Sequence, residues 1–151
     1  MDIRENCIPI PGREENRCFG CGAANPSGLQ MKFYERVEEE MVVSWIYVPE
    51  HMCGYKTMVH GGIVATILDE IMSKTAAHFL HEGVVTKSIS VDYLKPVTTN
   101  IEIRAEGKVV KVEKNKVFAE GGIFDGDNRI RARSTGIFAI VTPELMARLL
   151  I

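Results

Sequence analysis

One stretch limits what this chain can fold into more than any other: Val59-His60-Gly61-Gly62-Ile63-Val64-Ala65-Thr66-Ile67-Leu68-Asp69-Glu70-Ile71-Met72. A glycine-led turn runs straight into a segment, residues 63–80, in which Ile, Val, Leu, Met, Ala and Phe recur with little interruption. A helix apolar almost all round belongs inside a fold rather than on its surface. Its middle nevertheless carries two adjacent acids, Asp69 and Glu70. A carboxylate in an apolar helix is costly unless it is paired or has a task. On the helical wheel Gly62, Thr66, Asp69 and Ser73 share one face, by steps of three or four residues. A narrow polar stripe in an apolar body points to a site at the edge of the helix.

Gly61 and Asp69 lie eight residues apart, which is about 12 Å along one helix axis. The unpaired amides at a helix start can hold a carbonyl oxygen or an anion. Asp69 of the same chain is too far away to act on that carbonyl. If two copies of the helix pack antiparallel and cross near Ala65, Gly61 of one meets Asp69 of the other. Gly61, Gly62, Ala65 and Thr66 are small enough for a close crossing. A core helix whose Asp69 caps a loop or pairs with a lysine fits the composition equally well.

At 151 residues the chain suits one domain with a sizeable core. Hydrophobic residues at 46% and charged residues at 25% place it among ordinary soluble globular proteins. A net charge of −2 argues against broad nucleic-acid binding. No apolar run reaches the roughly 18 residues of a membrane span, and the start, Met1-Asp2-Ile3-Arg4-Glu5-Asn6, does not read as a signal peptide. Four cysteines without a secretion signal suggest reduced thiols in a cytoplasm. The expectation is a cytoplasmic protein that binds neither nucleic acid nor membrane.

Residues 1–17, polar and holding Pro9 and Pro11, read as an irregular arm ahead of a single domain over 18–151. Next comes Cys18-Phe19-Gly20-Cys21-Gly22-Ala23-Ala24-Asn25-Pro26-Ser27-Gly28-Leu29, a compact loop by its glycines, Asn25 and Pro26. Cys18 and Cys21 have metal-ligand spacing, but a closed zinc site needs four ligands and a second such pair is absent. Cys7, Cys53, His51 and His60 could join only if the fold brought them in, so no metal is expected. Residues 31–36 and 41–47 read as a hairpin around Glu38-Glu39-Glu40. After the helix, residues 84–97, 101–112, 117–124 and 129–141 read as strands. Glu113-Lys114-Asn115-Lys116 and Asp125-Gly126-Asp127-Asn128 mark turns between them. Pro143 opens a short terminal helix. The order predicts α+β, one antiparallel sheet wrapped around one long central helix.

One carboxylate facing a helix start is a limited kit. There is no G-x-S-x-G elbow. The kit suits a carbonyl that is already reactive and a leaving group that needs little protonation. A thioester qualifies, because a thiol of pKa about 8.5 leaves readily as thiolate. The helix-start amide would polarise the carbonyl, and Asp69 would activate water or attack directly.

Three features together carry a family resemblance: Val59-His60-Gly61-Gly62, the acid eight residues after Gly61, and the segment 85–96. With them the chain resembles the hotdog-fold acyl-CoA thioesterases of the PaaI and THEM type. The loop Cys18-Phe19-Gly20-Cys21-Gly22 with Asn25-Pro26-Ser27-Gly28-Leu29 is similar to one in a branch of that superfamily, so the resemblance spans residues 18–142. It implies that the Gly61 amide binds the thioester oxygen and that Asp69 is the catalytic carboxylate, supplied by a partner subunit. Thr86, ten residues before Pro96, matches the hydroxyl that positions the attacking water. His60 matches the motif histidine, which shapes the oxyanion loop or caps the helix. Glu70 lacks the family spacing. Many members carry Asn or Gln shortly before the motif, where this chain has Gly54.

The expected substrate-binding set is Gly62, Gly54, Ser73, Lys114 and Lys116. Lys108, Lys111, Arg131 and Arg133 are further candidates for the nucleotide phosphates, and Tyr55, Met58, Phe79 and Leu80 for the acyl pocket. The resemblance implies acyl-CoA as substrate, no cofactor, and a homodimer or dimer of dimers. Two other readings stand beside it: a non-catalytic acyl-CoA binding or sensing protein, and a hotdog hydratase or dehydratase.

Overall fold

The protein is described by a computed structural model over residues 3–149. Seven strands form one fully antiparallel sheet: β1 (Ile8–Ile10), β2 (Phe33–Arg36), β3 (Met41–Tyr47), β4 (Gly83–Tyr93), β5 (Glu102–Glu113), β6 (Lys116–Phe124) and β7 (Ile130–Val141). Their spatial order is β1-β2-β3-β5-β6-β7-β4. Helix α1 (Gly61–Leu80) packs against β3 to β7, and a short α2 (Pro143–Leu149) ends the described chain. The expected α+β architecture, one sheet around one long helix, is present.

The sheet follows from period-two patterning. Along the start of β5, Ile103, Ala105 and Gly107 point into the core while Glu102, Arg104 and Glu106 stay half-buried. The helix contributes Ile67, Leu68, Ile71 and Met72, all wholly buried, against Val42, Val117, Ile123 and Phe138 of the sheet. Each such side chain contributes about 1.5–3 kcal/mol on removal from water. Where α1 rests on the sheet, one row across three strands consists of Gly107, Gly121 and Ser134. A β-carbon at Gly107 would lie 2.4 Å from Thr75 Oγ1 and 2.6 Å from the Ile71 carbonyl oxygen. Only glycine permits that approach, so backbone meets backbone.

One expected element differs. Residues 8–10, within the segment read as an irregular arm, form edge strand β1, with Ile8 opposite Glu35 and Ile10 opposite Phe33. Pro9 sits at its centre, opposite Tyr34. Proline lacks an amide to donate, so a strand containing it is confined to a sheet edge. The opposite edge is β4, eleven residues long and bonded only to β7. Val85, Tyr93 and the following Leu94 are exposed there.

Candidate active site

The chain enters α1 through the loop 48–60. His60 is the N-cap: its Nδ1 accepts a hydrogen bond from the Gly62 amide at 2.9 Å. The Ile63 and Val64 amides both donate to the His60 carbonyl. Among the described residues the Gly61 amide has no acceptor, so the first turn leaves this one donor for a ligand. Gly54 stands beside His60, where a β-carbon would come within 3.4 Å of His60 Cα.

Two turns along α1, Asp69 is half-buried and its Oδ1 accepts a hydrogen bond from Thr86 Oγ1 at 2.8 Å. Thr86 lies on β4 beside a register shift: Thr86 faces Phe138 and Ser88 faces Ile137, which leaves Lys87 as an extra residue. A bulge bends its strand and re-aims the neighbouring side chains. The bond leaves the other oxygen of Asp69 available to a water or substrate. Elsewhere on the polar face, hydroxyls turn back onto the helix: Thr66 donates to the Gly62 carbonyl at 2.9 Å and Ser73 to the Glu70 carbonyl at 3.2 Å. Asp69 is thus the member of that face that reaches outward. Glu70 points elsewhere, to Cys18 Sγ at 3.3 Å.

Tyr93, which the sequence reading did not single out, donates its O–H to the Gly61 carbonyl at 2.7 Å. It joins the end of β4 to the start of α1 and holds the glycine turn in place. An aromatic residue three before Pro96 is the only sequence signal for it.

The basic candidates divide. Arg131 pairs with Asp125 at 2.6 Å, Arg133 with Asp92 at 3.2 Å and Lys111 with Glu113 at 3.1 Å. The Arg129 backbone amide, with Arg131 beside it, holds the Asp125 carboxyl below the usual carboxylate range. Lys108, Lys114 and Lys116 enter no ion pair among the described residues. Lys116, Ala139 and Val85 form one row across β6, β7 and β4. Lys116 is therefore two strands, about 10 Å, from the residue before Thr86. Tyr55 and Met58 are exposed beside the glycine turn, whereas Phe79 and Leu80 are half-buried against the core.

A cavity of about 490 Å³ lies apart from these groups, with Asn16, Cys21, Phe33 and Lys74 in its wall. Burial, followed by the charge of Glu70, pushes the Cys21 thiol up to about 12. No disulfide forms among the described residues. Among the described residues no helix is long and apolar enough to cross a membrane.

The chain is similar to known proteins in sequence and in fold. An acyl-coenzyme A thioesterase, THEM4 of Xenopus laevis, is 30% identical over 112 residues, which are 74% of this chain and 50% of that protein. The chain spans about half the length of the THEM4 proteins it matches. Among solved structures, the Escherichia coli PaaI protein from the phenylacetic acid degradation operon superposes with a TM-score of 0.67. It is 17% identical and covers 76% of this chain and 81% of its own. A hypothetical thioesterase with coenzyme A, from Streptococcus pneumoniae TIGR4, gives a TM-score of 0.63 at 22% identity, covering 68% of this chain and 80% of its own. These likenesses identify the fold as hotdog. The family model described as the thioesterase superfamily matches residues 57–132. That match takes in the glycine turn, all of α1 and Thr86, and by it the chain belongs to the thioesterase superfamily.

Proposed function

We propose that the chain is an acyl-CoA thioesterase that works as a homodimer or dimer of dimers in the cytoplasm, with each site shared between two subunits. One observation carries this reading. The unclaimed Gly61 amide and the Thr86-bound Asp69 sit on one helix, about 12 Å apart. Neither can serve the other within a chain, and two antiparallel copies of α1 bring them together. The exposed edge of β4, beside Thr86, supports such pairing, since an unpaired edge strand is a ready partner for another chain.

The Gly61 amide, at the positive end of the helix dipole, accepts the developing charge on the thioester oxygen. Asp69 takes a proton from a water that Thr86 helps to position, and the water oxygen bonds to the carbonyl carbon. The tetrahedral intermediate collapses with cleavage of the carbon–sulfur bond. The thiolate of CoA leaves and is protonated, and the acyl group departs as a free acid. His60 keeps the turn in shape, while Lys114 and Lys116 meet the nucleotide phosphates at the rim. Gly54, Gly62 and Ser73 line the approach without supplying a side chain to the reaction.

A panel of acyl-CoAs, followed by free-thiol release, binding and product analysis, tests the reading. Release of free thiol with the matching acid is expected. Binding without turnover would identify a sensing module instead, and addition of water with the thioester intact would identify a hydratase. Thr86→Val isolates the hydroxyl. A hydrogen bond to a charged group contributes about 1.5–3 kcal/mol, so turnover should fall roughly ten- to a hundredfold. KM should change little, and Thr86→Ser should retain most activity. Equal turnover in Thr86→Val would reduce Thr86 to an ordinary strand residue.

A further inference from the structure

We propose that Cys18, Cys21 and Glu70 form a zinc site that ties the loop 18–29 to α1 and takes no part in thioester chemistry. The sequence offered two ligands; the fold supplies a third, 52 residues away, by seating Glu70 against the cysteine loop. One ligand atom from each residue lies within 4.8 Å of the other two, and all three residues are half-buried. Cys18 Sγ and Glu70 Oε1 are 3.3 Å apart. Tetrahedral zinc, with bonds of about 2.0–2.3 Å, holds its ligand atoms roughly 3.3–3.8 Å from one another. The cluster therefore needs a contraction of no more than about 1.5 Å on its longest side.

The surroundings are built for these three groups. A β-carbon at Gly20 would lie 2.2 Å from Glu70 Cγ and 2.5 Å from its Cδ, so the loop leaves room for the carboxylate. At Gly22 it would meet the Cys18 amide nitrogen at 2.4 Å, which keeps the two cysteines on one tight turn. The Gly22 amide donates to the Cys18 carbonyl at 2.8 Å and closes that turn. Asn16 braces both ligands: its Oδ1 accepts the Cys18 amide at 3.0 Å and its Nδ2 donates to Cys21 Sγ at 3.5 Å. Outer contacts of this kind orient metal ligands.

Ligand chemistry points the same way. Cys18 donates its S–H to Glu70, and a divalent cation would take the place of that proton and of the one on Cys21. Sulfur-rich ligands with one carboxylate favour zinc over magnesium or calcium. Three protein ligands leave a fourth position, which a water can fill from the neighbouring cavity, since Cys21 is part of its wall. Asp69 and Glu70 are consecutive, so they project about 100° apart on the helix. One faces Thr86 and the other faces the cysteines. On binding, each thiol loses its proton to solvent as its sulfur bonds the metal.

The test uses the whole 151-residue chain, reduced, incubated with zinc or cobalt(II) chloride and freed of unbound metal. About one zinc per chain is expected, with release of about two protons per ion, one from each thiol. Cobalt should give intense thiolate-to-metal charge-transfer absorption. Cys21→Ser should lose the zinc and the absorption, and Glu70→Gln should bind at least about tenfold more weakly. A content below about a tenth of a zinc per chain, or cobalt spectra without thiolate bands, overturns the proposal on the wild-type protein alone. So does zinc retained in the double variant Cys18→Ser/Cys21→Ser.

Discussion

Asp69→Asn is expected to hydrolyse acyl-CoA at about one hundredth of the wild-type rate or less, the scale of losing a general base. The substitution is nearly isosteric. Its amide oxygen can still accept the Thr86 hydrogen bond that now reaches Oδ1 at 2.8 Å. What disappears is the charge and the ability to take a proton. Because Asp69 is only half-buried and outside the packed core of α1, the melting temperature should stay within a few degrees of wild type. Free-thiol release under saturating acyl-CoA, run beside a thermal melt, measures both. The companion variant Glu70→Gln should keep its turnover, since its carboxylate faces Cys18. Wild-type rates in Asp69→Asn with a slow Glu70→Gln would mean that the other acid does the chemistry.

The second large effect is a recovery. Gly61→Leu should obstruct the oxyanion turn, and the backbone accommodates it: a β-carbon there would lie 3.7 Å from the Tyr93 ring, an ordinary contact. The Gly61→Leu and Asp69→Asn homodimers should each be nearly inactive. Co-refolding them generates a heterodimer in which one site holds both lesions. The other combines the intact Gly61 of one chain with the intact Asp69 of its partner. Activity should return to about half the wild-type value per heterodimer, because one of two symmetry-related sites survives. If each site were built within one chain, every site in the mixture would carry a lesion and nothing would return. A verified heterodimer without hydrolysis would rule out sharing.

The parts of this protein legible in its sequence are those encoded over short distances. The periodicity of residues 63–80 announced α1, and the eight-residue step from Gly61 to Asp69 is a property of one helix. Turn residues such as Lys114, with φ 55°, marked the hairpins. What escaped depends on register and on packing between distant segments. Tyr93 meets Gly61 across 32 residues and Glu70 meets Cys18 across 52. Strand β1 is three residues long, contains a proline, and pairs with a strand more than twenty residues on. Its alternation is too short to rise above its surroundings. In the sequence Lys116 is one lysine among several. The sheet row that ties it to Val85 exists only once β6, β7 and β4 are aligned.

The bare row of Gly107, Gly121 and Ser134 under α1 works as a depth stop. Most helices ride on a layer of side chains that can shift when a neighbour changes; here Thr75 and the Ile71 carbonyl abut the main chain of β5. The height of α1 above the sheet is then fixed by hard-sphere contact rather than by side-chain packing. Asp69 lies less than two turns from that contact, so its height above the sheet is set by it. A methyl group at residue 107 would act as a shim. It would lift α1 and displace Asp69 without touching Asp69, Thr86 or Gly61.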